Sequence, residues 1–202
     1  MIDFRIKIIA ICGSGRKHGS NTEWMIRYML SILEKKGVGT ELINLASCKI
    51  ENCRGCDYCR KTGKLCKIND DMKRIYPKIK QAKGYIIGSP NYFKNVSGYM
   101  KTFMDRTNAF INVDKSTKKT IKRLSDKYVV GVCVGGEESN DTKYCEGSLK
   151  RFFKAHDMNL VGSVKARADS PLEVRRDKTI KAKMELACNA LIKNISKNYE
   201  KN

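Results

Sequence analysis

No apolar run in this chain approaches the ~20 residues a helix needs to cross a bilayer. The opening Met1-Ile2-Asp3-Phe4-Arg5 lacks the basic, apolar and small-residue succession of a secretory leader, so cytoplasmic residence is expected. No internal repeat, low-complexity block or composition break divides the 202 residues, and one domain spanning 1–202 is expected. Two nucleotide signatures are missing as well. The glycine-rich stretch near the start has no final Gly-Lys-Ser/Thr of a Walker loop, and Gly13-x-Gly15 lacks the third glycine of a dinucleotide fingerprint. Acidic residues are in deficit, 21 against 41 Lys and Arg, giving a formal charge of +20. Such a charge invites a nucleic-acid reading, but the basic residues are spread along the chain, densest at Lys115–Lys122 followed by Arg123. A basic surface attracts an acidic partner or a phosphate-bearing ligand equally well.

Cysteine, by contrast, is in excess: nine, an odd count suited to a reducing compartment. Four fall in one stretch, Cys53-Arg-Gly-Cys56-Asp-Tyr-Cys59-Arg-Lys-Thr-Gly-Lys-Leu-Cys66, spaced C-x2-C-x2-C-x6-C. Thiolates at this spacing can turn toward a common centre, which suits an iron–sulfur cubane held by four thiolates. A structural zinc usually takes two C-x2-C pairs split by a longer spacer, so zinc stands second. A reduced loop that packs its sulfurs and binds nothing is the third reading. Cys12 and Cys133 lie in apolar strand-like runs and read as core.

Strand-like and helix-like signals alternate, which predicts an α/β fold with a parallel sheet covered on both faces. The expected strands are Arg5–Cys12, Thr40–Leu45, Tyr85–Gly88, Lys127–Val134 and Asn159–Ala166. The expected helices run over Thr22–Lys36, from Asp70 or Asp71 to Ala82, and over Ser97–Phe110, Thr142–His156 and Arg176–Lys197. A cysteine-rich loop over about Ala46–Asn69 is longer than ordinary connections, and Asn112–Asp126 reads as a polar, basic surface loop. Five strands in a doubly wound domain of order 2-1-3-4-5 place ligands beyond the carboxyl ends of the strands, at the switch point. The loops after strands one, three and four converge there, and the cysteine loop leaves the same edge.

Each converging loop has usable chemistry. Ser14, Ser20, Asn21 and Thr22 offer small donors at a helix start and Arg16 offers charge, a setting that suits a phosphate; an ordinary capped turn reads equally well. Ser89-Pro90-Asn91-Tyr92-Phe93 puts a rigid turn and two rings at a strand end, suited to a flat heterocycle or to capping the core. Gly135-Gly136-Glu137-Glu138-Ser139-Asn140 permits close backbone approach to a ring edge.

Together these stretches resemble a known family. Ile9-Ala10-Ile11-Cys12-Gly13-Ser14-x-Arg16-x-x-Gly19-Ser20-Asn21-Thr22, the cysteine stretch followed by Asp70-Asp71-Met72, Ser89-Pro90-x-Tyr92, Lys101-x-Phe103-x-Asp105-Arg106 and Gly135-Gly136 cover nearly the whole chain. They are similar to the flavodoxin-like NAD(P)H-dependent FMN reductases and, within them, to the archaeal-type iron–sulfur flavoproteins. The resemblance implies FMN, its phosphate in the loop of Ser14, Arg16, Ser20, Asn21 and Thr22. It implies a ring lying on Pro90, Asn91, Tyr92 and Phe93, approached by Gly135 and Gly136. It further implies a [4Fe–4S] cluster on Cys53, Cys56, Cys59 and Cys66, and a homo-oligomer built as a dimer or as a dimer of dimers.

The leading expectation is therefore an FMN-dependent redox protein exchanging electrons between cluster, flavin and an external donor or acceptor, such as an acidic ferredoxin-like carrier or a small oxidant. Related reductases with a similar cysteine loop hold no cluster, which gives the second reading, an NAD(P)H-dependent FMN or quinone reductase. A zinc-stabilised nucleic-acid binder is the third, well behind for want of any nucleic-acid motif.

Overall fold

The computed structural model describes residues 7–114, 116–117, 119–136 and 142–199. The start of the first expected strand, Lys115 and Lys118 of the basic run, and the stretch from Glu137 to Asn140 lie outside the described residues. The chain runs β1 (Lys7–Cys12), α1 (Asn21–Lys35), β2 (Gly39–Asn44), α2 (Tyr58–Thr62), α3 (Met72–Gln81), β3 (Gly84–Tyr92), β4 (Asn95–Val96) and α4 (Gly98–Arg106). It continues through β5 (Ile111–Val113), β6 (Thr120–Lys122), β7 (Tyr128–Gly135), α5 (Thr142–Ala155), β8 (Asn159–Arg167) and α6 (Lys178–Tyr199). The five long strands are parallel in the order β2-β1-β3-β7-β8, the doubly wound arrangement expected from the alternating pattern. No helix of the described residues is long and apolar enough to cross a membrane.

Strand alternation assigns the two faces. Ile8, Ala10 and Cys12 of β1 pack under α1 and α6, with Met25, Met29, Leu33, Met184 and Leu191. Ile9 and Ile11 point the other way, into the layer of α3, α4 and α5 with Ile75, Met100, Phe103 and Leu149. Because both faces are covered, the central strands are apolar at successive positions rather than alternately. Cys12 and Cys133 are buried in these layers as read, and burial pushes the Cys12 thiol up to about 11; Cys145 and Cys188, for which the sequence suggested no place, are buried there too.

Three local readings are corrected. The third strand does not stop at Gly88 but runs nine residues to Tyr92, because Ser89 and Pro90 still pair in register with Cys133 and Val134 of β7. It then folds back through Phe93 and Lys94, both in the left-handed region (φ 49° and 59°), to pair antiparallel with β4. That is the two-residue turn whose twist matches a hairpin, here without the usual glycine. The polar stretch 112–126 holds a second hairpin, with β5 pairing β6. The cysteine loop is not wholly irregular either, since it contains the short helix α2.

Candidate functional site

The first loop leaves β1 under constraint. Gly13 N–H donates to Gly88 O at 2.8 Å, and a β-carbon on Gly13 would stand 2.8 Å from Met100 Cβ and 3.2 Å from Gly88 O. Glycine is thus required by close approach, and the chain is pinned to β3 and α4 as it turns. Ser97, the N-cap of α4, ties the three elements together: its hydroxyl donates to Gly13 O and accepts from Met100 N–H, while its own N–H donates to Ser89 Oγ at 2.9 Å.

Ser20 caps α1, its Oγ accepting from Glu23 N–H at 3.1 Å. The side chain of Asn21 is held across the cleft mouth by Ser170 O (2.8 Å) and Val174 N–H (3.3 Å). The remaining first-turn amides of α1 and the Ser14 hydroxyl form an electropositive rim, with exposed Arg16 beside it, and such a helix start favours an anion.

These residues line one cleft. Ser14, Arg16, Ser20, Asn21, Thr22, Pro90, Asn91, Tyr92, Gly135 and Gly136 all border it, joined by Val134 and Ala168, which the sequence reading did not name. Phe93 does not border it: at the tip of the β3–β4 turn it is fully exposed. Gly135 has no room for a side chain, for a β-carbon there would meet Thr142 Cγ2 at 2.8 Å and Asn91 Cβ at 3.5 Å. Asn91 Oδ1 is buried and has no hydrogen-bond partner among the described residues. A buried acceptor left open in a cleft wall fits a ring-edge N–H of a bound heterocycle.

A cavity of ≈ 360 Å³ adjoins this cleft and shares Tyr92 with it; Leu45, Cys48, Ile50 and Tyr99 complete its apolar walls. Its far side is the start of the cysteine loop. Both ends of that loop are fastened at one point. Asp70 accepts from Glu51 N–H (2.9 Å) and Met72 N–H (3.0 Å), while Asp71 Oδ2 accepts from Lys49 N–H at 2.7 Å. Arg106, whose side chain is fully buried, forms a two-pronged pair with the Asp70 carboxylate and donates to Glu51 O at 2.7 Å. Burial by itself would raise the Asp70 carboxyl, but the Arg106 guanidinium and the two backbone amides hold it below its ordinary value.

The far lobe of the loop leans on the β5–β6 hairpin. Arg123 donates to Gly63 O at 2.7 Å, and Asn112, with its amide turned to satisfy its neighbours, donates to Cys59 O at 2.9 Å. Cys59 and Cys66 are half-buried against the core, whereas Cys53 and Cys56 are exposed. Burial raises the Cys59 thiol, and the neighbouring Cys66 and Cys53 raise it further, so these three share one electrostatic neighbourhood. Among the described residues no three Cys, His, Asp or Glu side chains are already gathered round a single-ion site. In a cubane each thiolate binds a different iron, so four thiols on one loop with fastened ends fit that donor set without meeting at one point.

Residues 6–170 match the family model described as NADPH-dependent FMN reductase. An iron–sulfur flavoprotein of Methanocaldococcus jannaschii is 35% identical over 157 residues, 78% of this chain and 76% of that protein. One from Archaeoglobus fulgidus is 38% identical over 146 residues, 72% of this chain and 70% of its own length. Among solved structures, RosB with a bound 8-demethyl-8-formylriboflavin-5'-phosphate intermediate superposes with a TM-score of 0.77 at 16% identity, over 96% of this chain and 81% of that one. The apo form of an NADH:FMN oxidoreductase gives 0.67 at 16% identity, over 93% and 88%. At such identities the structural likeness concerns the fold alone.

Proposed function

We propose that this chain, which belongs to the NADPH-dependent FMN reductase family and is an FMN-dependent oxidoreductase, carries a [4Fe–4S] cluster and relays electrons between it, FMN and an external partner. Cys53, Cys56, Cys59 and Cys66 would hold the cluster. The observation that carries the reading is a four-thiol loop whose ends are fastened by Asp70 and Arg106 and whose start, at Cys48 and Ile50, walls a cavity beside the flavin cleft.

When bound, FMN exchanges one or two electrons and a cluster one at a time, which suits a relay between single-electron and two-electron partners. The protein supplies binding and orientation. The α1 amides, Ser14 and Arg16 would take the phosphate, Pro90 and Tyr92 would wall the ring, and Gly135 and Gly136 would let the ring edge approach the backbone. Asn91 Oδ1, buried and without a partner among the described residues, would accept from the ring edge. No side-chain nucleophile is required.

The +20 charge would speed encounter with an acidic ferredoxin-like carrier, while NAD(P)H or a small oxidant would serve as the two-electron partner. Exposed Tyr92, Phe93, Tyr99 and Tyr144 support self-association as a dimer or a dimer of dimers. The exposure of Cys53 and Cys56 favours one rival, a cluster-free NAD(P)H-dependent FMN or quinone reductase. Cys59→Ala separates the two. The relay predicts unchanged FMN content and lost transfer to a one-electron acceptor, whereas the rival predicts that both persist.

A further inference from the structure

Arg106 is the one arginine or lysine among the described residues that is buried. Two of its nitrogens are engaged, Nη1 by Asp70 and by Glu51 O, and Nη2 by Asp70. The third, Nε, is buried and has no partner among the described residues. A guanidinium with one open N–H in the interior is costly unless a further acceptor or negative charge is supplied. Its backbone is fixed too, since Tyr76 OH donates to Arg106 O at 2.8 Å. Cys66 packs half-buried against the same core as Tyr76 and lies close enough to Arg106 for a thiolate there to act on its charge.

We propose that Arg106 is a positioning residue for the thiolate centre of the Cys53–Cys66 loop: it braces the closure of the loop on Glu51 and Asp70 and, by neutralising buried Asp70 with one N–H to spare, keeps the interior behind the thiolates free of net negative charge. Two independent features carry this. The hydrogen bonds reach both the entry (Glu51) and the exit (Asp70) of the loop from one side chain, so Arg106 braces from the interior the direct clasp of Glu51 N–H on Asp70 and Lys49 N–H on Asp71. The open Nε–H shows that Asp70 and Glu51 do not exhaust its donor capacity. The exposed cations of the stretch, Arg54, Arg60, Lys61 and Lys64, lie in water and are screened; Arg106 acts in a low dielectric, where a charge has longer reach.

The inference rests on the cluster reading above, and the experiment separates the two. Wild type, Arg106→Lys and Arg106→Gln are purified without oxygen and reconstituted with iron and sulfide. Iron and FMN per chain, thermal stability and the cluster's midpoint potential from spectroscopic titration are then measured. Arg106→Gln should keep FMN but lose several-fold in retained iron. Its remaining cluster should be harder to reduce by about tenfold, ≈ 59 mV for a one-electron couple. Arg106→Lys should restore the potential but not the full iron content, because lysine keeps the charge and loses the fork. A purely structural role would lower stability without moving the potential. Wild-type iron and potential in Arg106→Gln would overturn the proposal. If Arg106→Gln does not fold, wild-type iron retention in Arg106→Lys would overturn it instead. Wild type that takes up no iron would remove the cluster reading itself, and this inference with it.

Discussion

The hydroxyl of Ser97 donates to the carbonyl oxygen of Gly13, 84 residues earlier in the chain, and so links the cap of α4 to the loop that would cradle the phosphate. The same residue's N–H is held by Ser89 Oγ at the end of β3. Two of the three loops around the cleft therefore share one buried serine. Ser97→Ala removes the cap and leaves Gly13 O without this donor. The expected loss is about 1–2 kcal/mol in denaturant unfolding, together with weaker FMN binding. Wild-type stability in that variant would show that the link is dispensable.

Gly135 and Gly136 are adjacent but differently constrained. A β-carbon at Gly135 would meet Thr142 at 2.8 Å, whereas at Gly136 the nearest contact is Asp169 Oδ1 at 3.4 Å. Gly135→Ala should weaken FMN binding on the order of tenfold, 1.4 kcal/mol, and Gly136→Ala by much less. Titration of the apoprotein by flavin fluorescence quenching measures both, and equal effects would show that the crowding at Gly135 does not bear on the flavin.

Acid should act through His156. Burial, with Lys122 adding to it, lowers this imidazole from 6.5 to about 4; its Nε2 lies 3.1 Å from Thr107 Oγ1 and its ring packs edge-on to Phe152. Between those values the unfolded chain binds a proton that the folded chain refuses. The stabilisation is thus complete above pH 6.5 and is lost as pH falls toward 4, by up to ~3 kcal/mol. Asp70, held below its ordinary value, adds a further loss at still lower pH. Urea unfolding across pH 4–7 should show this slope, and His156→Gln should flatten it in the upper window.

If the basic surface recruits an acidic carrier, electron exchange with a ferredoxin should slow steeply as salt rises from 0.05 to about 0.5 M, because the Debye length contracts several-fold. Stopped-flow rates against ionic strength give the slope. A flat response would assign the +20 charge to another purpose.

Much of this architecture was legible because it is local. The continuous apolar runs of β1 and β7 announce buried parallel strands, and Ser20 and Ser97 announce helix starts by residue type alone. The end of β3 was not legible. Ser89, Pro90 and Asn91 have turn chemistry, and only pairing with β7 and β4 makes them strand. The β5–β6 hairpin hides for a similar reason, being short and largely polar, and its support of Cys59 and Gly63 through Asn112 and Arg123 is tertiary. The four cysteines and the cleft residues stood out by spacing and type. The Asp70–Arg106 pair, 36 residues apart, lay inside two motifs of the family resemblance, but nothing local says that they meet.

The central claim is a flavin and a cluster on one chain. It is tested most directly by measuring iron, acid-labile sulfide and FMN in protein purified without oxygen. About four irons and four sulfides per FMN are expected, as for one cubane on four thiolates. A full complement of FMN with no iron, persisting after reconstitution, would contradict the account and leave a plain flavin reductase.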